Sequence, residues 1–185
     1  DPDTGRYNLA DLNLYIVVDP AGSKKKDRDY TAMVVFGVGG DEVYRVIDMV
    51  KDKMNLDERV DELFSLVRKY RPLLVGYEKY GMQSDIEHIE YVQRKRNFVF
   101  NIQELSVPLA KAERIAWLFS PFREGRILLP ESIVKRNWEG MEIDLVKDFI
   151  ENEYGIYAPG ITMHDDMLDC MANMFHPNLG VTPPI

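Results

Sequence analysis

One cysteine, Cys170, stands among 185 residues. That excludes an internal disulfide and a cysteine-rich zinc site, and it suits a reducing cytosol. No apolar run reaches 18 residues, so no segment reads as a membrane-crossing helix, and no charged-then-apolar stretch reads as a secretion signal. Neither G-x-x-x-x-G-K-[ST] nor G-x-G-x-x-G occurs, which removes the usual glycine-rich nucleotide cradles. A surplus of positive charge is missing too: 23 basic residues face 31 acidic ones, a formal net charge of −8. A protein that holds DNA by neutralising phosphates carries a basic face. So either nucleic acid is not the ligand, or binding depends on divalent cations and local patches. Two such patches exist, Lys24-Lys25-Lys26 with Arg28, and Arg94-Lys95-Arg96. Each reads equally well as a solvated loop or helix end. The first residue is Asp1 and not Met, which points to a piece of a longer protein.

What is present suffices for one well-buried core: 45% of the residues are hydrophobic, and one domain is the default. Residues 1–12 read as linker, 13–176 as the folded domain and 177–185 as a tail. Residues 14–18 form an almost unbroken apolar run, the pattern of a strand covered on both faces. Residues 30–38 and 42–50, joined by Gly39-Gly40-Asp41, predict a hairpin. Asn55 and Glu58 cap a helix with Leu56, Val60, Leu63, Phe64 and Val67 on one side, and Pro72 follows its end. Residues 73–77 are a second short buried strand. Then come a helix over 82–97, carrying Met82, Ile86, Ile89 and Val92, and a strand over 98–105. Pro108 opens a helix through Phe119 that Pro121 ends, and residues 126–129 are extended. Trp138, Met141, Leu145 and Phe149 mark a further helix. The last helix, 162–175, carries Met163, Met167, Cys170, Met171 and Met174, most simply as core. Antiparallel strands followed by βαβ crossovers predict an α/β fold, a mixed β-sheet with helices on both faces.

Carboxylates punctuate this pattern. Asp19 ends the first strand, where Asp19-Pro20-Ala21-Gly22 is ordinary turn chemistry and equally a metal ligand held out on a rigid strand end. Glu78 ends the strand over 73–77, and the last helix opens with "HDDMLD". In α/β sheets chemistry gathers beyond the strand ends. Acids brought within a few Å repel one another unless a cation sits among them. Hard oxygen ligands favour Mg²⁺ or Mn²⁺ over zinc, and two such ions about 3.5–4 Å apart stabilise both the attacking and leaving oxygens of phosphodiester cleavage. Within the helix start, Thr162-x-x-Asp165 matches a capping box and explains Asp165 structurally. Asp166 and Asp169, three residues apart, share a face with no such explanation. His164 reads as a cap, a surface residue, a ligand or a base.

The strand-end Asp19, "DYTAMVVFG", "VGYEKYG", "PLAKAERIAWLFSPFREGRILLP" and "HDDMLD" together closely resemble the C-terminal nuclease domain of tailed-phage large terminase subunits. The resemblance runs from about Leu14 to Phe175 and is most specific in the K-x-x-R-I…F-x-x-G-R-I-x-L-P stretch and the HDD helix. It implies a ribonuclease-H-like fold and a metal-dependent endonuclease that cuts concatemeric double-stranded DNA, with two Mg²⁺ or Mn²⁺ ions. Carried over, the catalytic acids are Asp19, Glu78 and Asp166. Asp169 is a further metal ligand whose rank against Asp166 stays open, and Asp29 is an accessory acid near the second ion. Lys111 and Arg114 match the family's basic pair and, with Lys79, are the DNA-binding candidates; a solvated helix face paired with nearby acids is the plain alternative. The implied partners are an ATPase motor domain of the same full-length chain, the portal and the small terminase subunit, at the prohead portal in the host cytoplasm, with no membrane. Two rivals remain: a junction resolvase of the same fold, and a catalytically idle module that docks onto the packaging motor.

Overall fold

The computed structural model describes residues 7–20, 30–79, 84–106, 108–158 and 165–185, for Ser84 the backbone alone. Strand β1, Asn13–Asp19, lies at the middle of a six-stranded sheet. It pairs antiparallel with β2, Thr31–Val38, which pairs antiparallel with β3, Tyr44–Asp52. On its other edge β1 runs parallel to β4, Leu74–Glu78, and β4 runs parallel to β5, Ile102–Leu105. The short β6, Ile127–Leu128, adds parallel to β3. The order is therefore β5-β4-β1-β2-β3-β6. This is the mixed α/β sheet that the sequence predicts.

The apolar runs of β1 and β2 are unbroken because both faces are covered. Tyr15 and Val17 of β1 face one core layer, while Ile16 and Val18 face the other. The second layer is built on helix α1, Leu56–Tyr70, and α2, Ser84–Arg96. Asn55 accepts the Glu58 N–H at 3.0 Å and Glu58 answers at 2.8 Å, so the predicted capping box is present. The first layer holds α3, Lys111–Ile115, α4, Phe119–Arg123, α5, Leu145–Asp148, and α6, Asp166–Ala172. Between β6 and α5 a small hairpin stands apart, β7 Val134–Arg136 against β8 Glu142–Asp144. Among the described residues, no helix is long and apolar enough to cross a membrane.

Five local expectations change. The strand expected over 98–105 begins only at Ile102; Phe98 and Phe100 instead fold their rings against Phe64, at 6.0 and 5.2 Å between centroids. Pro121 does not end its helix but sits in the first turn of α4, where the missing N–H matters least. Trp138 and Met141 are not helical. Gly140, at φ 81°, and Asn137, whose side chain accepts the N–H groups of Glu139 and Met141, close a turn there, and the helix starts at Leu145, capped by Asp144. Finally, α6 starts at Asp166, so Asp165 occupies its N-cap position and not the third helical position expected from a cap at Thr162. Residues 177–185, expected as a tail, return to the domain: Leu179 is buried in the first layer and the Thr182 N–H donates to the Tyr15 hydroxyl at 3.1 Å.

Candidate metal centre

Parallel pairing sets the site. Val18 and Tyr77 are register partners in β1 and β4, so the next residues, Asp19 and Glu78, finish the two strands side by side. Side chains alternate along a strand, which turns both acids towards the layer that contains α6. That helix is seated by Met167, Leu168, Cys170 and Met171, and Cys170 Sγ lies 3.5 Å from the Val17 carbonyl and 3.3 Å from that of Ala32. Its position carries Asp169 onto the two strand ends. One carboxylate oxygen from each of Asp19, Glu78 and Asp169 lies within 4.8 Å of the other two. All three side chains are buried, at 7%, 6% and 1% exposure.

Acids so placed need cations. Arg114 of α3 forks between them, one guanidinium nitrogen on Glu78 and the other 3.0 Å from Asp169 Oδ2. Lys111, one turn earlier, reaches Asp165 Oδ1 at 2.7 Å and Asp169 Oδ2 at 3.4 Å. Asn173 donates to Glu78 Oε2 at 2.8 Å. Three carboxylates against two cations still leave the trio short of positive charge. Burial, then repulsion from Glu78 and Asp169, holds the Asp19 carboxyl well above its ordinary range, against the pull of Lys111. Burial likewise pushes Asp169 up to about 6, although Lys111 and Arg114 oppose it. Burial would discharge Lys111, but Asp169, Asp165 and Asp19 outweigh it and hold the ammonium protonated.

The residues fit a hard divalent cation. Asp169 Oδ1 is buried with no hydrogen-bond partner among the described residues, a costly state for a carboxylate oxygen unless a ligand takes it. Mg²⁺–oxygen bonds of about 2.1 Å in octahedral geometry put neighbouring ligands of one ion about 3 Å apart, so three oxygens within 4.8 Å of one another would draw together around a bound ion. Asp19, Glu78 and Asp169 supply oxygen alone, the donor set for Mg²⁺ or Mn²⁺.

The other expected residues fall elsewhere. Asp166, a catalytic acid by the resemblance with its rank against Asp169 left open, is the first residue of α6, half-buried and outside the trio; its charge repels Asp19 less than Glu78 and Asp169 do. The geometry brings Asp169 into the trio. Arg114 is turned inwards on acids, whereas Lys111 is exposed at the rim and paired with Asp165 and Asp169. Lys79 pairs with Glu104 at 3.0 Å, partly exposed. Asp29, Thr162, His164 and the basic run at 24–28 lie outside the described residues. The patch Arg94-Lys95-Arg96 is exposed at the end of α2, with Arg96 on Asp61. Asn173 was missed, although its i+4 spacing from Asp169 puts it on the same helical face.

The sheet order, the helices on both faces and the acids at the ends of adjacent strands define a ribonuclease-H-like fold. The large terminase nuclease from thermophilic phage G20c shares it. Its crystal structure with bound magnesium is 18% identical with a TM-score of 0.53, covering 88% of this chain and 79% of that one. A second crystal structure of that nuclease is 16% identical with a TM-score of 0.55, covering 90% and 84%. The fowlpox virus Holliday junction resolvase is 13% identical with a TM-score of 0.45, covering 86% and 92%. At these identities the likeness is one of fold. No protein-family model matches the chain, and no curated protein matches it.

Proposed function

We propose that this domain is a divalent-metal-dependent DNA endonuclease, the nuclease of a viral DNA-packaging terminase that cuts concatemeric double-stranded DNA. One observation carries the reading: three buried carboxylates from two strand ends and one helix converge with an oxygen of Asp169 unpaired. Bound there, Mg²⁺ or Mn²⁺ would supply Lewis-acid stabilisation of a phosphodiester under attack by water. Asp19 and Glu78 hold the fixed side of the site and Asp169 the other. Asp166 starts the helix that carries Asp169, and Asp29, outside the described residues, serves in this reading as an accessory acid. Arg114 orients Glu78 and Asp169, while Lys111 and Lys79 stand nearest solvent, where phosphates approach. The partners in this reading are double-stranded DNA, an ATPase motor on the same full-length chain, the portal and the small terminase subunit, assembled at the prohead portal in the host cytoplasm.

The test is nicking and linearisation of supercoiled plasmid in EDTA and in millimolar Mn²⁺, with Asp19→Asn as control. Cleavage should require Mn²⁺ and vanish in the folded variant. Cutting that persists in EDTA, or in Asp19→Asn, would overturn the proposal. A four-way junction cut far faster than plasmid would favour a resolvase.

A further inference from the structure

The first turn of any helix leaves N–H groups without partners, and the N-cap side chain ordinarily takes one. In α6 it does not. Asp165 holds the N-cap position without a cap bond, its carboxylate drawn away by Lys111. The substitute comes from elsewhere in the chain. Glu153, at the end of the π-helical turn Phe149–Glu153, accepts the Leu168 N–H on Oε2 at 2.7 Å. Its Oε1 takes Lys51 Nζ of β3 at 2.6 Å, and Lys51 also holds Asp148 at 2.8 Å. Glu153 is 1% exposed.

A buried ion pair is a poor way to gain stability, since well-packed apolar residues usually do as well or better. A negative carboxylate at a helix N-terminus is favourable, however, and fixes where the helix starts. Leu168 directly precedes Asp169, whose own N–H bonds the Asp165 carbonyl at 2.9 Å. We infer that Glu153 is a positioning residue: it caps α6 from a distant segment, anchored by Lys51, and thereby sets Asp169 against Asp19 and Glu78. The external cap also releases the Asp165 side chain to hold Lys111 at the rim. This inference rests on the reading of the trio as a metal site.

Two measurements on Glu153→Ala, Glu153→Asp and Glu153→Gln test it. Amide hydrogen exchange in EDTA reads the cap, and Mn²⁺ titration calorimetry, at a temperature where each variant is folded, reads the site. Glu153→Ala and the shorter Glu153→Asp should speed exchange at the Leu168 and Asp169 amides and weaken Mn²⁺ binding about 10- to 100-fold, the usual effect of losing a group that orients a ligand. Glu153→Gln keeps an acceptor oxygen and should restore most of the affinity. If Glu153→Ala does not fold, Glu153→Asp decides. Wild-type Mn²⁺ affinity in a folded Glu153→Ala or Glu153→Asp protein, whatever its melting temperature, would reduce Glu153 to a structural role and overturn the inference alone. A wild-type protein that takes up no Mn²⁺ would overturn the metal reading and this inference with it, even if the exchange result held.

Discussion

Replacing Asp169 with Asn should make the metal-free domain more stable and at the same time blind to metal. An ordinary Asp carboxyl titrates near 3.8, and burial moves Asp169 to about 6 in the folded protein. The protonated form is therefore the one that suits the fold. Its contribution is fully present below pH 3.8 and is lost as pH rises through about 6. Above that, the folded state carries a penalty of about 3 kcal/mol, from about 1.36 kcal/mol per pH unit of displacement. Asn is never charged and can still offer its oxygen to Arg114. The attraction of Lys111 and Arg114 for the charged form is already contained in that displacement. The net gain at pH 7 in EDTA is therefore up to about 3 kcal/mol, or roughly 6–12 °C in Tm for a domain of this size. Scanning calorimetry from pH 4 to 8 would show the two proteins melting together near pH 4 and diverging up to about pH 6. Millimolar Mn²⁺ should raise the wild-type Tm by selective binding to the folded state and leave the variant unmoved. An Asn variant that melts below wild type at pH 7 and keeps its Mn²⁺ response would refute both the electrostatics and the ligand role.

Asp166→Asn, by contrast, should retain most of the Mn²⁺-induced rise in Tm, because its carboxylate lies outside the trio; loss of that rise would return the ligand role to Asp166. Deleting residues 177–185 removes buried Leu179 and the bonds of Thr182 to Tyr15 and Asn13. That should cost roughly 2–4 kcal/mol in urea unfolding, and an unchanged midpoint would restore these residues to the status of a tail.

Asp19 and Glu78 were legible because each interrupts a buried apolar run at its last residue, and a strand pattern fixes position and face together. The capping box at Asn55 was legible for a similar reason: its two members lie three residues apart and need nothing from the rest of the fold. The choice between Asp166 and Asp169 was not legible. It depends on where α6 begins, and the Thr162-x-x-Asp165 spacing suggested a start several residues too early. The true cap, Glu153, lies 15 residues upstream of Leu168, beyond any local pattern. Trp138, Met141, Leu145 and Phe149 keep helical spacing, yet Gly140 and the Asn137 side chain favour a turn, and local backbone chemistry overrode periodicity. Lys111 and Arg114 announce charge but not direction. Cations on a short helix read as facing solvent until the packing of α3 against α6 turns them onto acids.

The side-by-side endings of β1 and β4 have a consequence for ion choice. Neighbouring strands sit about 4.8 Å apart, a spacing fixed by hydrogen bonds along the whole pair and shared with β2 and β5 on either side. Asp19 and Glu78 therefore form a rigid jaw that cannot widen or narrow without parting the centre of the sheet. Asp169 rides on a helix of 7 residues, and small tilts of that helix change its distance to the other two. In the proposed metal site, discrimination between Mg²⁺ and a larger ion such as Ca²⁺ would thus fall mainly to the helix side, where a change in packing beneath Met167 or Met171 would shift the preferred ionic radius without touching a single ligand.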